Sequence, residues 1–363
     1  MDIIKRYILK EFAEAFGFSL LVFTLVFTVG NIMQVADLII NKGVNVLQVF
    51  KIFFLLIPSL LTFTIPIAVL LGTLLAFGRL AGDSEIQAML YSGISLYRIS
   101  VPVVIFVLVL SMLCVLVNDR IATEFGFEAR RVLKQVGVEN PSALIEPGVF
   151  SRFGSYIIFA YAVKGSVLKN VRVYMPKEGS PTRTIVAQSV ELEFNKNTNV
   201  LNLKMKDGTS QEQSPTDPNL YYNLNFKNYL MAINVDDIVK ATRIQKKMRE
   251  KTIKELLTDV GSLKMERIES RLFEIEIHKK IALAASCLVF VFIGMPLAIR
   301  IHRREKATSF GLGLALFGVY WGIFLAGIVG AENGRLEPWL GVWLANILMG
   351  LIGIILFWQV SKR

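Results

Sequence analysis

Histidine and cysteine are almost missing from this sequence, with two of each in 363 residues. Cys114 and Cys287 both fall inside long apolar runs, which excludes a disulfide framework or a thiolate metal site and leaves two inert buried thiols. His278 and His302 flank one apolar run beside lysine or arginine, in no spacing that suits a metal or a catalytic triad. No G-x-x-x-x-G-K-[ST] stretch occurs, so nucleotide is not bound in the P-loop manner. Glu124, Glu128, Glu139 and Glu146 lie close in sequence without a partner signal and read as a solvated helix face. The apolar runs carry almost no ionisable residue, which argues against a proton relay or a charge-coupled carrier. No acid, base, nucleophile or metal constellation remains, so neither an enzyme nor a resident cofactor is expected. If the chain moves material, the energy comes from elsewhere.

Hydrophobic residues, by contrast, make up 53% of the chain, and mean hydropathy is +0.52. Such values mark a membrane protein. The net charge of +11 carries no nucleic-acid recognition motif with it and reads as cytoplasmic flanks of spans. Six runs are long enough to cross the hydrocarbon as helix, near 12–35, 52–77, 99–118, 281–299, 308–331 and 338–360. The first follows an amphipathic lead-in, "YILKEFAEAF", and lacks a cleavage site, so it reads as a retained span. With the N-terminus inside, the inner flanks hold Lys5, Arg6, Lys10, Arg79, Arg98, Arg300, Arg303, Arg304, Lys306, Lys362 and Arg363, and the outer flanks only Lys42, Lys51 and Arg335. This asymmetry predicts cytoplasmic termini.

Between the third and fourth runs the character changes. "SYIIFAYAV", "VRVYM", "TIVAQSVELEF", "VLNLKM" and "YYNLNFKNYLMAINV" are rich in Val, Ile, Tyr and Phe, mostly alternate, and are separated by turn chemistry such as "PKEGSP" and "KDGTS". They predict an all-β domain, a sandwich or an open jellyroll, on the outer side. Residues 1–119 then hold spans one to three, 120–277 the β-domain with flanking helices, and 278–363 spans four to six. Tyr156, Ile158, Phe159 and Tyr161 are candidates to line the domain's interior, as a packed core or as a path for acyl chains. Lys240 to Lys254 packs basic residues around one glutamate and fits either a solvated linker helix or a contact for anionic lipid phosphate.

The connection between the second and third runs, "GRLAGDSEIQAMLYSG", is more elaborate than a turn requires. Ser84 with Gln87 forms a capping-box pattern, Gly93 is a stop, and Ile86, Met89 and Leu90 share one face. The predicted helix at 83–93 is too short to stand alone in water, so its stripe needs a covering surface. A partner protein and the membrane surface fit equally. Glu85, beside the stripe, suits the helix dipole or a base on a docked protein.

"LGTLLAFGRLAGDSEIQAMLYSGIS" resembles the signature of the LptF/LptG permeases of the lipopolysaccharide export ABC transporter. "MDIIKRYILKEF" and "EIHKKIALAASCLVFVFIGMPLAIR", with Pro296, are similar to that family's first and fourth spans, and "GRLEPWLGVWLANILMG" looks closer to its LptF branch. The resemblance implies a membrane α-helical fold of six transmembrane helices with an inserted periplasmic β-jellyroll, in the bacterial inner membrane. It also implies partners: an LptB-like ATPase dimer, a second permease chain of the family, an LptC-like bridge protein, and lipopolysaccharide as cargo. By the same resemblance Ser84, Glu85, Ile86, Met89 and Gly93 form the ATPase-docking coupling helix. Where family members place a basic residue at the outer end of the first span, this chain reads "NIMQVADL", leaving Asn31, Gln34 and Lys42 as lipid-cavity candidates. Two other readings remain open. A lipoprotein-release or efflux permease would place its periplasmic domain after the first span. A membrane sensor or scaffold would purify without an ATPase.

Overall fold

The computed structural model describes residues 2–40, 46–139, 145, 147–153, 156–164, 166–177, 180–195, 200–214, 220–234, 246–262, 267–301 and 306–362. Among them are helices α1 (Asp2–Ile40), α2 (Val46–Gly82), α3 (Glu85–Tyr91), α4 (Leu96–Leu116) and α5 (Ala122–Glu139). Strands β1 (Phe150–Phe153), β2 (Tyr156–Lys164), β3 (Val167–Lys177), β4 (Ser180–Asn195), β5 (Val200–Gln213) and β6 (Tyr221–Asn234) follow. The chain ends with α6 (Ile253–Ser262), α7 (Arg267–Ile301), α8 (Lys306–Glu332) and α9 (Pro338–Ser361). Among the described residues, six helical stretches are long and apolar enough to cross a membrane: Ile3–Gly30, Val46–Gly82, Leu96–Leu133, Ser270–Ile301, Thr308–Glu332 and Pro338–Ser361. The predicted architecture, membrane helices with a β-domain inserted between the third and fourth spans, is what the chain forms.

The chain divides into two compact units, one of residues 1–30, 56–126 and 246–363, the other of 31–55 and 127–245. In the first, α7 packs against α4 and α9, and α9 against α8. Glycine sets the closest approaches. A Cβ on Gly341 of α9 would meet the Cβ of Ala331 of α8 at 2.9 Å, and one on Gly72 of α2 would meet the Cα of Phe16 of α1 at 2.8 Å. Lipid offers apolar side chains nothing that water-driven burial would, so such helices associate through close packing and buried hydrogen bonds. Tyr320 of α8 donates to Asn346 Oδ1 of α9 at 3.1 Å, and Asn346 Nδ2 donates to the Ala282 carbonyl of α7 at 2.8 Å. Ser111 of α4 donates to the Ala284 carbonyl of α7 at 2.8 Å. These polar side chains join four helices that sequence hydropathy treats as uniform.

In the second unit the strands form one antiparallel sheet in the order β1-β2-β3-β4-β5-β6. The jellyroll-like expectation is met as an all-antiparallel domain, with meander connectivity in place of Greek-key crossings. The register passes over Tyr161, Asn170, Gln188, Asp207 and Lys227, which fall in one row across β2 to β6. Asn170 and Asp207 there have φ of 49° and 50°. On each side of the row the buried alternation changes phase: Leu168 then Val171 in β3, Ala187 then Val190 in β4, Met205 then Ser210 in β5. A left-handed residue in a strand is a bulge device that re-aims the side chains beyond it. All these apolar side chains nevertheless belong to one buried cluster with Ile145, Ile158 and Ile233. The change of phase lets side chains on both sides of the row reach that cluster.

Strand periodicity also separates the four interior candidates of β2. Ile158 is buried in the cluster and Tyr156 packs against it. Phe159 lies on the other face against Phe150, ring centroids 4.8 Å apart, and Tyr161 is 72% exposed. Residues one apart in a strand cannot share a face, so the expectation that all four line one interior is corrected to Tyr156 and Ile158 alone.

Candidate functional site

The stretch between the second and third spans forms the predicted short helix, α3, of seven residues. Its ending follows the sequence. Gly93, at φ 82°, lets its own N–H reach the Leu90 carbonyl and the Ile94 N–H reach the Met89 carbonyl, both at 3.0 Å, which is the Schellman arrangement. Its beginning does not. Ser84 lies in the left-handed region, at φ 61° and ψ 13°, and its side chain makes no capping bond. The cause is the preceding helix: α2 runs to Gly82, and the Asp83 and Ser84 N–H groups close its last turn on Arg79 and Ala81. Ser84 serves as the terminator of α2, and its hydroxyl makes no bond to the first turn of α3. The predicted capping box is absent here. One forms instead at α6, where Thr252 and Glu255 exchange side-chain to backbone bonds of 2.8 and 3.2 Å.

The apolar stripe is also placed differently from expectation. Ile86 is 0% exposed and belongs to the main apolar cluster of the membrane unit, with Met89 and Leu90 packed against it. The surface the stripe needs is supplied by this chain's own spans. Burying an isoleucine contributes about 1.5–3 kcal/mol, enough to hold a helix too short to persist alone. Ile86, expected at a partner surface, is instead fully enclosed and anchors α3, while Met89 is half-buried against the same cluster. The exposed positions are Ser84, Ala88, Tyr91 and Ser92, and Tyr91 is 91% exposed. Nothing in the stripe pattern singled out Tyr91, although its place opposite Ile86 was available from helical spacing.

Charged groups surround this exposed face. Glu85 accepts a hydrogen bond of 3.2 Å from the Tyr7 hydroxyl of α1. Four residues beyond Tyr7, Glu11 pairs with Arg79 of α2, whose Nε also lies 3.6 Å from Asp83. One helical face of the first span's amphipathic lead-in is thus joined to α3 through Tyr7 and to α2 through Glu11.

A second charged cluster lies at the opposite end of the sequence pattern, where the third span gives way to α5 and the fourth begins. Lys280 of α7 is 2% exposed. Its ammonium donates to Thr123 Oγ1 at 3.0 Å and to the Lys251 carbonyl at 2.6 Å, and lies 3.5 Å from Asp119. Asp119 and Lys280 belong to the same long helices as the third and fourth spans, but lie just beyond the apolar runs at 99–118 and 281–299. Each stands at the end of an apolar run, so neither interrupts hydropathy.

The other candidates are placed as follows. Asn31 and Gln34 continue α1, but their side chains, like Lys42 and His302, lie outside the described residues. Residues 240–245 lie outside them as well. The rest of the basic stretch is not one linker helix: a 3-10 turn, Met248–Glu250, precedes α6. Lys246 and Lys251 pair with Glu255 and Asp259 of α6, each at 2.6 Å. The Lys246 ammonium, hydrogen-bonded to Glu255, holds that carboxyl below its usual range.

Comparison with known proteins agrees with this arrangement along nearly the whole chain. The sequence profile of the family described as "Lipopolysaccharide export system permease LptF/LptG" matches residues 6–359. The chain is also 21% identical over 360 residues, 98% of its own length and 94% of theirs, to the "Lipopolysaccharide export system permease protein LptF" of Escherichia coli (strain K12) and of Shigella flexneri. Six apolar helices, a β-domain between the third and fourth, and a short anchored helix between the second and third therefore accompany a match of full length, and the chain belongs to the LptF/LptG family of permeases.

Proposed function

We propose that this chain is the LptF-type permease subunit of a transporter that extracts lipopolysaccharide from the bacterial inner membrane and passes it to a periplasmic bridge. A separate LptB-like ATPase dimer docks on α3 and supplies the energy, and a second chain of the family completes the cavity. The termini and α3 face the cytoplasm, in keeping with the lysine and arginine of the flanks, and the β-domain faces the periplasm, where it hands lipid to an LptC-like protein. The observation that carries the reading is α3 itself. It is anchored through Ile86 and presents Tyr91 outward, with Glu85 half-buried at its start beside Tyr7, in a chain that has no P-loop of its own. A face bonded to the first span through Tyr7 and Glu85, beside the Glu11–Arg79 pair that ties that span to α2, suits the transfer of motion from a docked motor. Ser84 and Gly93 set the two ends of that face.

The cavity end is less endowed. Asn31 and Gln34 offer neutral hydrogen bonds where a basic residue would make charge-assisted ones, so most of the phosphate contact falls to Lys42 and to the partner permease. Tyr156 and Ile158 mark the acyl-chain side of the β-domain. Glu85→Ala, expressed with the partner subunits, is expected to insert normally while ATPase copurification and ATP-driven lipid release both fall. Unchanged copurification and release would remove Glu85 from its assigned role.

A further inference from the structure

The cluster around Lys280 is built more completely than a span boundary requires. Five contacts close it. Besides the three made by the Lys280 ammonium, Asp119 Oδ1 accepts the Ile253 N–H at 2.6 Å, and Asn118 Nδ2 donates to the Lys280 carbonyl at 3.1 Å. Asn118 and Asp119 occupy a single turn of π-helix, Val117–Ile121, closed by the Ala122 N–H on the Val117 carbonyl. The wider turn sets both side chains toward α7, and Thr123 fastens it by donating to the Asn118 carbonyl at 3.1 Å. A π-turn inside a long helix is a costly irregularity that recurs at functional positions.

Energetics sharpen the point. A buried ion pair rarely stabilises more than well-packed apolar side chains of the same volume would, because desolvation of both charges offsets their attraction. Spans three and four already pack through α4 and α7 and the Ser111 bond. The pair adds something packing cannot: it captures backbone groups of residues 251 and 253, in the segment that brings the chain back from the β-domain. That segment is tied down further by the Lys246–Glu255 and Lys251–Asp259 pairs and by the Lys251 ammonium over the Phe273 ring of α7, 5.4 Å from its centroid.

We propose that Asp119 and Lys280 are positioning residues for lipid hand-off, a latch that fixes the segment Lys246–Ser262 to the ends of the third and fourth spans so that movement of these spans is delivered to the β-domain. The inference rests on the transport reading above, but it concerns coupling between extraction and delivery and does not involve the ATPase-docking face.

The test uses the full complex, with ATPase and partner permease, in proteoliposomes containing lipopolysaccharide, and follows ATP hydrolysis together with lipid reaching an added soluble acceptor β-domain. The paired substitution Asp119→Asn with Lys280→Met is expected to keep hydrolysis within about twofold while lipid delivered per ATP falls about tenfold; Lys280→Arg, which keeps the charge, restores much of it. Normal delivery per ATP by the neutral pair would overturn the latch and leave a packing role only. A wild-type complex that delivers no lipid would refute the transport reading instead. In that last event, and also where the paired variant fails to accumulate, hydrogen exchange at the Ile253 amide of the native complex decides. Slow exchange with and without trapped nucleotide is expected of a closed latch, and fast exchange in either state overturns it.

Discussion

The two charged clusters of the membrane unit use similar residues to opposite ends. Around α3, Tyr7, Glu11, Arg79, Asp83 and Glu85 form a chain of contacts open to solvent; around Lys280, a lysine and an aspartate are enclosed and every donor of the ammonium has a partner. Exposed pairs contribute little, about 0–1 kcal/mol, because water and salt screen them. Enclosed pairs are strongly coupled, because removing one member strands the other. The first arrangement can exchange partners cheaply, as a docking face must. The second resists exchange, as a fixed joint must.

The contrast can be broken from its strong side first. Lys280→Ala should destabilise the protein by about 3–5 kcal/mol, since Asp119 and the Lys251 carbonyl lose their shared donor. Thermal unfolding in detergent measures this, and the paired neutral variant should recover most of the loss. Next comes the anchor of α3. Ile86→Ala removes a fully buried side chain and should cost about 2–4 kcal/mol, visible as faster proteolysis between the second and third spans. Tyr91→Ala, on the same helix but 91% exposed, should leave stability unchanged within about 0.5 kcal/mol.

Smaller still is the effect of Arg79→Ala. Its side chain is 49% exposed, so loss of the Glu11 pair should change stability by less than about 1 kcal/mol and less again at high salt. The Lys246–Glu255 pair gives the weakest signal, a dependence on pH. Its carboxyl is lowered in the folded chain, so its contribution is complete above the usual carboxylate range and disappears as pH falls through the lowered value. Glu255→Gln should flatten that acid limb of the stability profile. An unchanged acid limb would mean the pair contributes nothing.

Much of this architecture was legible because its signals are long. Twenty apolar residues or a run of alternating strands leave little ambiguity, and the stop at Gly93 follows from a glycine placed where φ must be positive. Short signals failed where a neighbour competed. Ser84 with Gln87 has the letters of a capping box, yet Ser84 lies two residues past the end of α2 and is claimed by that end; Thr252 with Glu255 has no such competitor and forms the box. The stripe of α3 was legible as a stripe, but periodicity alone does not say whose surface covers it. Asp119 and Lys280 were passed over because each lies just outside an apolar run, and their meeting depends on tertiary packing of the third span on the fourth. "KDGTS" was legible as turn chemistry, yet it lies inside β5, where Asp207 takes a φ of 50° without ending the strand, and Asn170 does the same in β3.

In the proposed function, α3 is anchored through Ile86 and meets the ATPase through its opposite face. A photo-activated crosslinking residue placed singly at positions 86, 88 and 91 of the full complex tests it directly. Crosslinks to the ATPase from 88 and 91, with only intramolecular products from 86, are the predicted result, whereas ATPase crosslinks from 86 with none from 91 would contradict it.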